Sequence, residues 1–235
     1  MDSKRFSSGL TLGLAMLGCC VAGGGAAAEN ADPLFTRLDA FLGAHPDLYW
    51  RKQGIDNYGL GRYAEAMTDF RRAARYADKT SQAMLAQMLW NGEGVKADRV
   101  MAYVWADLAA ERHYPAFIAT REKFWRELSA DEQRAAVAAG QAIFDEYGDA
   151  IAKKREDRAL RLARLDITGS RTGHVGTVDV HQQVRFMEFN NIDGALYYAD
   201  KYWKPELYWQ WQDRVWTDPP EGKVEVGPIQ APPEH

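Results

Sequence analysis

One alanine pattern is written twice between Ala66 and Ala119. Ala66, Ala73, Ala74 and Ala83 recur as Ala102, Ala109, Ala110 and Ala119, each 36 residues later. A fixed period of roughly 20–50 residues is the signature of a stacked repeat protein. Each unit is a supersecondary element that cannot bury its apolar face alone, so neighbours must stack. The unit here is helical. Met101, Val104, Trp105, Leu108 and Ala109 fall at i, i+3, i+4, i+7 and i+8, the one-sided spacing of an amphipathic helix. Ala66, Phe70, Ala73 and Ala74 repeat that spacing, and Met84, Leu85, Met88 and Leu89 form a separate stripe between the two copies. Each period therefore holds two helices, A and B. The adjacent alanines late in helix B let a neighbouring helix approach closely, which large side chains would prevent. The predicted fold class is all-α: an α-solenoid of stacked helix-turn-helix repeats, with a small mixed or irregular, aromatic-rich C-terminal extension.

The junctions carry matching punctuation. Gly92 and Gly94 can end a helix because glycine accepts a left-handed backbone. Asp98 can cap the next helix with its carboxylate. These residues, with Glu93-Val95 of the same turn, Ala102, Trp105 and the Ala109-Ala110 pair, resemble the Sel-one-like repeat, a relative of the tetratricopeptide repeat. Ala83, Leu85, Ala86 and Leu89 match the preceding helix of that repeat. An earlier, degenerate unit has Asn57-Tyr58-Gly59-Leu60-Gly61 in place of the standard turn, and the resemblance runs from Asp47 to about Tyr147. It implies an α-solenoid that acts as a scaffold for protein contacts. Many members carry helix-linking cysteines; this chain has none in its repeats, so nothing tied to that subclass is implied. The signature residues Gly92, Gly94, Asp98, Ala102, Trp105, Ala109 and Ala110 are read as structural, with the apolar ones in the core.

Three segments follow from patterning: residues 1–28 as a signal peptide, 29–166 as the solenoid with an N-terminal capping helix, and 167–235 as the extension with short strands and a proline-rich tail. Lys4 and Arg5, the apolar run Leu10 to Ala22, and Ala26-Ala27-Ala28 before Glu29 form an export signal, with cleavage expected after Ala28. A periplasmic or secreted chain is the expectation; a lipoprotein anchored at Cys19 is the competing reading. The run is too short to span a bilayer, and no transmembrane span is expected in the mature chain. Both cysteines, Cys19 and Cys20, lie within the signal, so the mature chain has no disulfide or thiol chemistry. The formal charge of −4 gives no reason to expect nucleic acid.

Leu34, Phe35, Leu38, Phe41 and Leu42 are spaced as a capping helix that His45-Pro46 ends. Pro115 to Leu128 reads as a third helix A, Ser129 and Glu132 as a capping box, and Gly148 as a kink or break. Lys153, Lys154, Arg155, Arg158, Arg161 and Arg164 make the next helix basic. A solvated face laced by i,i+4 ion pairs is favoured there over an anionic contact. Beyond it, Val175 to Val180 and Val184 to Phe189 read as strands, Asp193 as the cap of a short helix with Leu196, Tyr197 and Tyr202, and Tyr208-Trp209-Gln210-Trp211 as an alternating segment. The rings are expected to fold back over the C-terminal end of the solenoid.

No arrangement of residues points to catalysis. His174 and His181 match no zinc spacing, and a third ligand such as Asp179 or Glu188 would have to come from elsewhere. Gly169-Ser170-Arg171 is not a nucleophile elbow. No cofactor and no metal are expected, and the chain is read as a non-enzyme. The function that fits is binding of a protein or peptide along the groove-facing side of the A helices, with Tyr49, Arg51, Gln82 and Gln87 as candidate contacts. A cell-wall or carbohydrate-binding module using Trp203, Tyr208, Trp209 and Trp211 is the alternative, and a hydrolase with a site in the extension is a third class.

Overall fold

The architecture follows from how the 36-residue period packs. The computed structural model describes residues 34–165, 183–184, 187–188 and 194–217, all within one compact unit, Pro33–His235. A 3-10 turn at Leu34–Arg37 leads into α1 (Asp39–Leu42). Six longer helices form the array: α2 (Pro46–Gly59), α3 (Tyr63–Ala74), α4 (Lys79–Asn91), α5 (Arg99–Ala109), α6 (Pro115–Glu127) and α7 (Ala130–Tyr147). Helix α8 (Asp149–Leu165) follows. Strands β1 (Gln183–Val184) and β2 (Met187–Glu188) pair antiparallel, Gln183 opposite Glu188. Helices α9 (Gly194–Tyr197), α10 (Asp200–Trp203) and α11 (Pro205–Thr217) complete the described chain.

Successive hairpins stack: α2 packs on α3, α3 on α4, α4 on α5, and α5 on both α6 and α7. The period is visible in the backbone. Ala77 and His113, 36 residues apart, both have positive φ, 64° and 60°, at the turns before the second and third A helices. Gly92 caps α4 with φ 73°, and the Asp98 side chain accepts from Met101 N–H at the start of α5. Ser129 and Glu132 form the capping box of α7. Gly148 separates α7 from α8.

The core between the layers contains Phe70, Leu85, Met88, Leu108 and Phe124, with Ala66, Ala74, Ala102 and Trp105 between them. Ala109 and Ala110 are buried as well. Trp90 stacks on Phe124 with ring centroids 3.9 Å apart. Glycine 54, inside α2, permits the first close approach. A β-carbon there would lie 2.5 Å from two atoms of the Phe70 ring. In an isolated helix Gly→Ala gains about 1 kcal/mol. Here Gly54→Ala is expected to destabilise by about 1–3 kcal/mol, because the ring is fully enclosed and has nowhere to move. Urea unfolding checks the sign.

Three expectations for the chain ends are corrected. The capping segment is a 3-10 turn followed by one short helix, since Leu38 breaks α-geometry with an extended backbone (ψ 144°). Its apolar residues still cover the first repeat. The alternating segment Tyr208 to Trp211 belongs to a helix: Pro205 starts α11, and Tyr208, Trp211 and Trp216 all pack inward from it. The rings cover the N-terminal end of the array as well as its flank, not its C-terminal end. Tyr197, Tyr202, Trp203, Tyr208 and Trp211 share one cluster with Phe35, Phe41 and Leu48. The proposed strand Val175–Val180 lies outside the described residues.

Candidate functional site

Helix α11 crosses the array beside the N-terminal ends of its A helices. These ends line up because one junction turn recurs at each period. At the first end, Asp47 in the opening turn of α2 accepts from its own neighbour, Leu48 N–H (2.7 Å), and from the Tyr208 hydroxyl (2.5 Å). At the second, Asp78 caps α4 by accepting from Ser81 N–H (2.9 Å), while its other oxygen takes Arg51 Nη1 (2.9 Å). At the third, Tyr114 precedes α6, and its hydroxyl donates to Asp213 of α11. Trp216, one helical turn beyond Asp213, packs on Phe117 at 4.5 Å between centroids. A small polar recess remains between Arg51, Asp78, Thr80, Trp209 and Gln212.

A charged network lies under the middle of α11. Lys79 is almost wholly enclosed, and its ammonium donates to Leu108 O (3.0 Å), Gln82 Oε1 (3.1 Å) and Glu111 Oε2 (2.7 Å), with Asp149 Oδ1 at 3.0 Å. Arg112 grips Asp149 with two bonds, 2.6 and 3.1 Å, donates to Ala77 O at 3.0 Å and reaches Asp213 at 3.4 Å. Burial works against the Asp149 carboxylate, but the Arg112 bonds and the Lys79 charge outweigh it and hold its pKa well below the usual range. Burial pushes Lys79 down, opposed chiefly by Asp149. Trp209 sits over this network with Arg112 and Lys153 at 4.8 and 5.0 Å from its ring centroid, and its Nε1 donates to Asp157 (2.8 Å). Cations over an indole face are attracted by its quadrupole.

A second cluster sits at the first end. Asp47 and Glu156 of α8 are both fully buried. Burial, then the Asp78 charge, lifts Asp47 to about 6. Burial, then the Asp47 charge, raises Glu156 well above the carboxylate range. Among the described residues neither Glu156 oxygen has a hydrogen-bond partner. Burial also raises the Tyr208 phenol, with Asp47 adding to it. His45 joins the two chain ends: Nδ1 lies 2.7 Å from Phe41 O and Nε2 2.9 Å from Tyr202 O. A neutral ring can donate to only one of them. Burial lowers its pKa, and the two carbonyls act the other way.

The eight residues singled out from the sequence are dispersed by this arrangement. Arg51 lies at the seat of α11, and Tyr49 is half-buried beside the aromatic cluster. Gln82 is enclosed, donating to Tyr147 O (3.2 Å), and presents nothing to a groove. Gln87 is one period after Arg51 on the next A helix, half-buried and bonded to Asn91 (3.1 Å). Trp203, Tyr208 and Trp211 are buried, so they offer no ring face on which a sugar could stack; Trp209 is half-buried against two cations. His174, His181 and Asp179, and the side chain of Glu188, fall outside the described residues. Among the described residues no three histidine, aspartate or glutamate side chains are placed to hold a metal ion.

Sequence reasoning missed Asp47, Lys79, Arg112, Asp149, Glu156 and Asp213. One signal was available. Ala152, Glu156 and Leu160 recur at i, i+4 and i+8 on α8, and all three are buried, so the carboxylate stands on the apolar stripe. Nothing local marks Lys79 or Asp213, whose partners are 32 and 99 residues away.

No protein-family model and no curated protein matches the chain. Among solved structures it is similar to c5321, a protective antigen present in uropathogenic Escherichia coli strains displaying an SLR fold. The two are 18% identical with a TM-score of 0.42, and the match covers 58% of this chain and 28% of the antigen. The chain thus spans little more than a quarter of that protein's length.

Proposed function

We propose that this chain is an exported, non-catalytic scaffold that holds a helical segment of another protein along the N-terminal ends of its A helices. Export rests on the signal-like residues 1–28. One observation carries the binding reading: the array already holds a helix there. Helix α11 is gripped through its side chains at the first repeat end, by Tyr208 on Asp47, and at the third, by Trp209 and Asp213 on Arg112 and Trp216 on Phe117. This is the helix-in-groove mode of recognition, read from anchors at helical spacing. The spacing of those anchors describes the partner's chemistry: an amphipathic helix with two or three aromatic residues and one carboxylate.

A labelled peptide with the sequence of Pro205–Thr217 tests the reading on the full chain. Trp216→Ala with Asp213→Ala loosens the resident helix while leaving its receiving surface intact. Saturable rise in fluorescence anisotropy with this variant, and weaker binding to the unaltered chain, is the expected result. Equal absence of binding to both chains means that the seat is ordinary core, and the scaffold reading then has no surface to stand on.

A further inference from the structure

We infer that the outward face of α8 is a docking surface for an anionic lipid bilayer. Ile151, Lys154, Arg158, Arg161, Leu162 and Leu165 are all exposed. At 100° per residue they fall within a sector of about 100°, and they extend along about 21 Å of helix. The sector combines three cations with three large apolar side chains and contains no carboxylate. Leu162 and Leu165 are 51% and 77% exposed, and Ile151 38%.

The ion pairs expected from the basic run are not made on this face. Lys153 pairs with Asp149 at 3.1 Å on the inner flank. Arg155 turns to the carbonyl oxygens of Glu146 (2.6 Å) and Arg75 (3.1 Å). Asp157 is taken by Trp209. Among the described residues, Lys154, Arg158 and Arg161 have no carboxylate partner. The opposite side of the helix, with Ala152, Glu156 and Leu160, is the one that packs on the protein.

A surface that suits this stripe must be negative at its face and apolar a few ångströms below it. A bilayer interface has that layering: guanidinium and ammonium groups meet phosphates while leucine and isoleucine reach the acyl boundary. A shaped protein partner would call for aromatic anchors, and the sector has none. The chain as a whole carries a net charge of −4, so an anionic bilayer would attract it by this face and orient it.

The test is co-sedimentation of the full chain with vesicles of phosphatidylglycerol mixed into phosphatidylcholine, against phosphatidylcholine alone. The apolar run at residues 10–22 contributes to both, so the readout is the ratio of the two partition constants. Juxtamembrane cations contribute about fivefold each. Arg158→Glu with Arg161→Glu is therefore expected to lower the ratio by about 25-fold or more. Leu162→Ala with Leu165→Ala is expected to lower binding to the anionic vesicles severalfold. Soluble polyglutamate should compete poorly. Circular dichroism confirms that these surface variants remain folded. An unchanged ratio in the charge-reversed chain overturns the proposal. So does binding to polyglutamate as tight as to vesicles with no effect of the leucine substitutions, which would assign the face to an acidic protein.

Discussion

Glu156→Gln is expected to stabilise the protein at neutral and alkaline pH, by about 1–3 kcal/mol. The residue is fully enclosed, and its oxygens have no hydrogen-bond partner among the described residues. Burial and the neighbouring Asp47 charge raise its pKa well above the ordinary range, and Asp47 itself is lifted to about 6. The direction of the pH effect follows. Two acids whose folded-state pKa values are raised bind more protons folded than unfolded, so stability falls as pH rises. Their contribution is fully present below about pH 4, where the unfolded carboxylates are also protonated. It declines as pH rises through about 6 for Asp47 and through the raised folded-state value of Glu156. Glutamine cannot ionise, so the variant should lose less stability between mildly acidic and alkaline pH. Other groups also face this cluster: His45, Arg51, Asp78, Asp157 and Tyr208. None of them mimics a loss of stability that glutamine at one position removes. Urea unfolding across a pH series, followed by tryptophan fluorescence, measures both slopes; parallel curves for the two proteins would contradict the account.

Asp149→Ala is expected to produce the opposite outcome, a loss of about 3–5 kcal/mol. The carboxylate faces Lys79, Arg112 and Lys153 at once. Lys79 is buried and the Arg112 side chain is only 9% exposed, so removing their shared anion leaves two cations under α11 with less than full compensation. Breaking a buried pair from one side costs far more than the pair itself contributes. For a domain of this size the melting temperature should fall by about 6–20 °C. The pH signature is also reversed. Asp149 has a depressed folded-state pKa, so its contribution is present above the ordinary carboxylate range and is lost only as pH falls toward its strongly acidic folded value. A melting temperature that barely moves would mean that solvent, rather than Asp149, balances Lys79 and Arg112. The two carboxylate clusters, both touched by α11 and its neighbours, thus impose opposite pH limits on the same protein.

How much could be read in advance depended on the range of the interaction responsible. Sequence alone determined the repeat unit, because its causes are local. Apolar stripes at helical spacing, Asp98 and Ser129 at helix starts, Gly92 and Gly148 at helix ends and paired alanines at contacts all act within a few residues of themselves. Once one unit is defined, stacking repeats it, which is why Ala77 and His113 share a backbone conformation without sharing a side chain. The candidate site was decided otherwise. Gln82 occupies an A helix in the register of a groove residue, yet a carbonyl from Tyr147 encloses it. From the sequence, Tyr208 and Trp211 are expected to fold back over the C-terminal end of the array, yet α11 turns them onto Phe41, His45 and Asp47 at its first end. Asp47 and Tyr208 are 161 residues apart. No local propensity encodes that pairing; only the folded array brings the first repeat and α11 together, and burial there converts ordinary carboxylates into groups whose protonation bears on whether the chain stays folded.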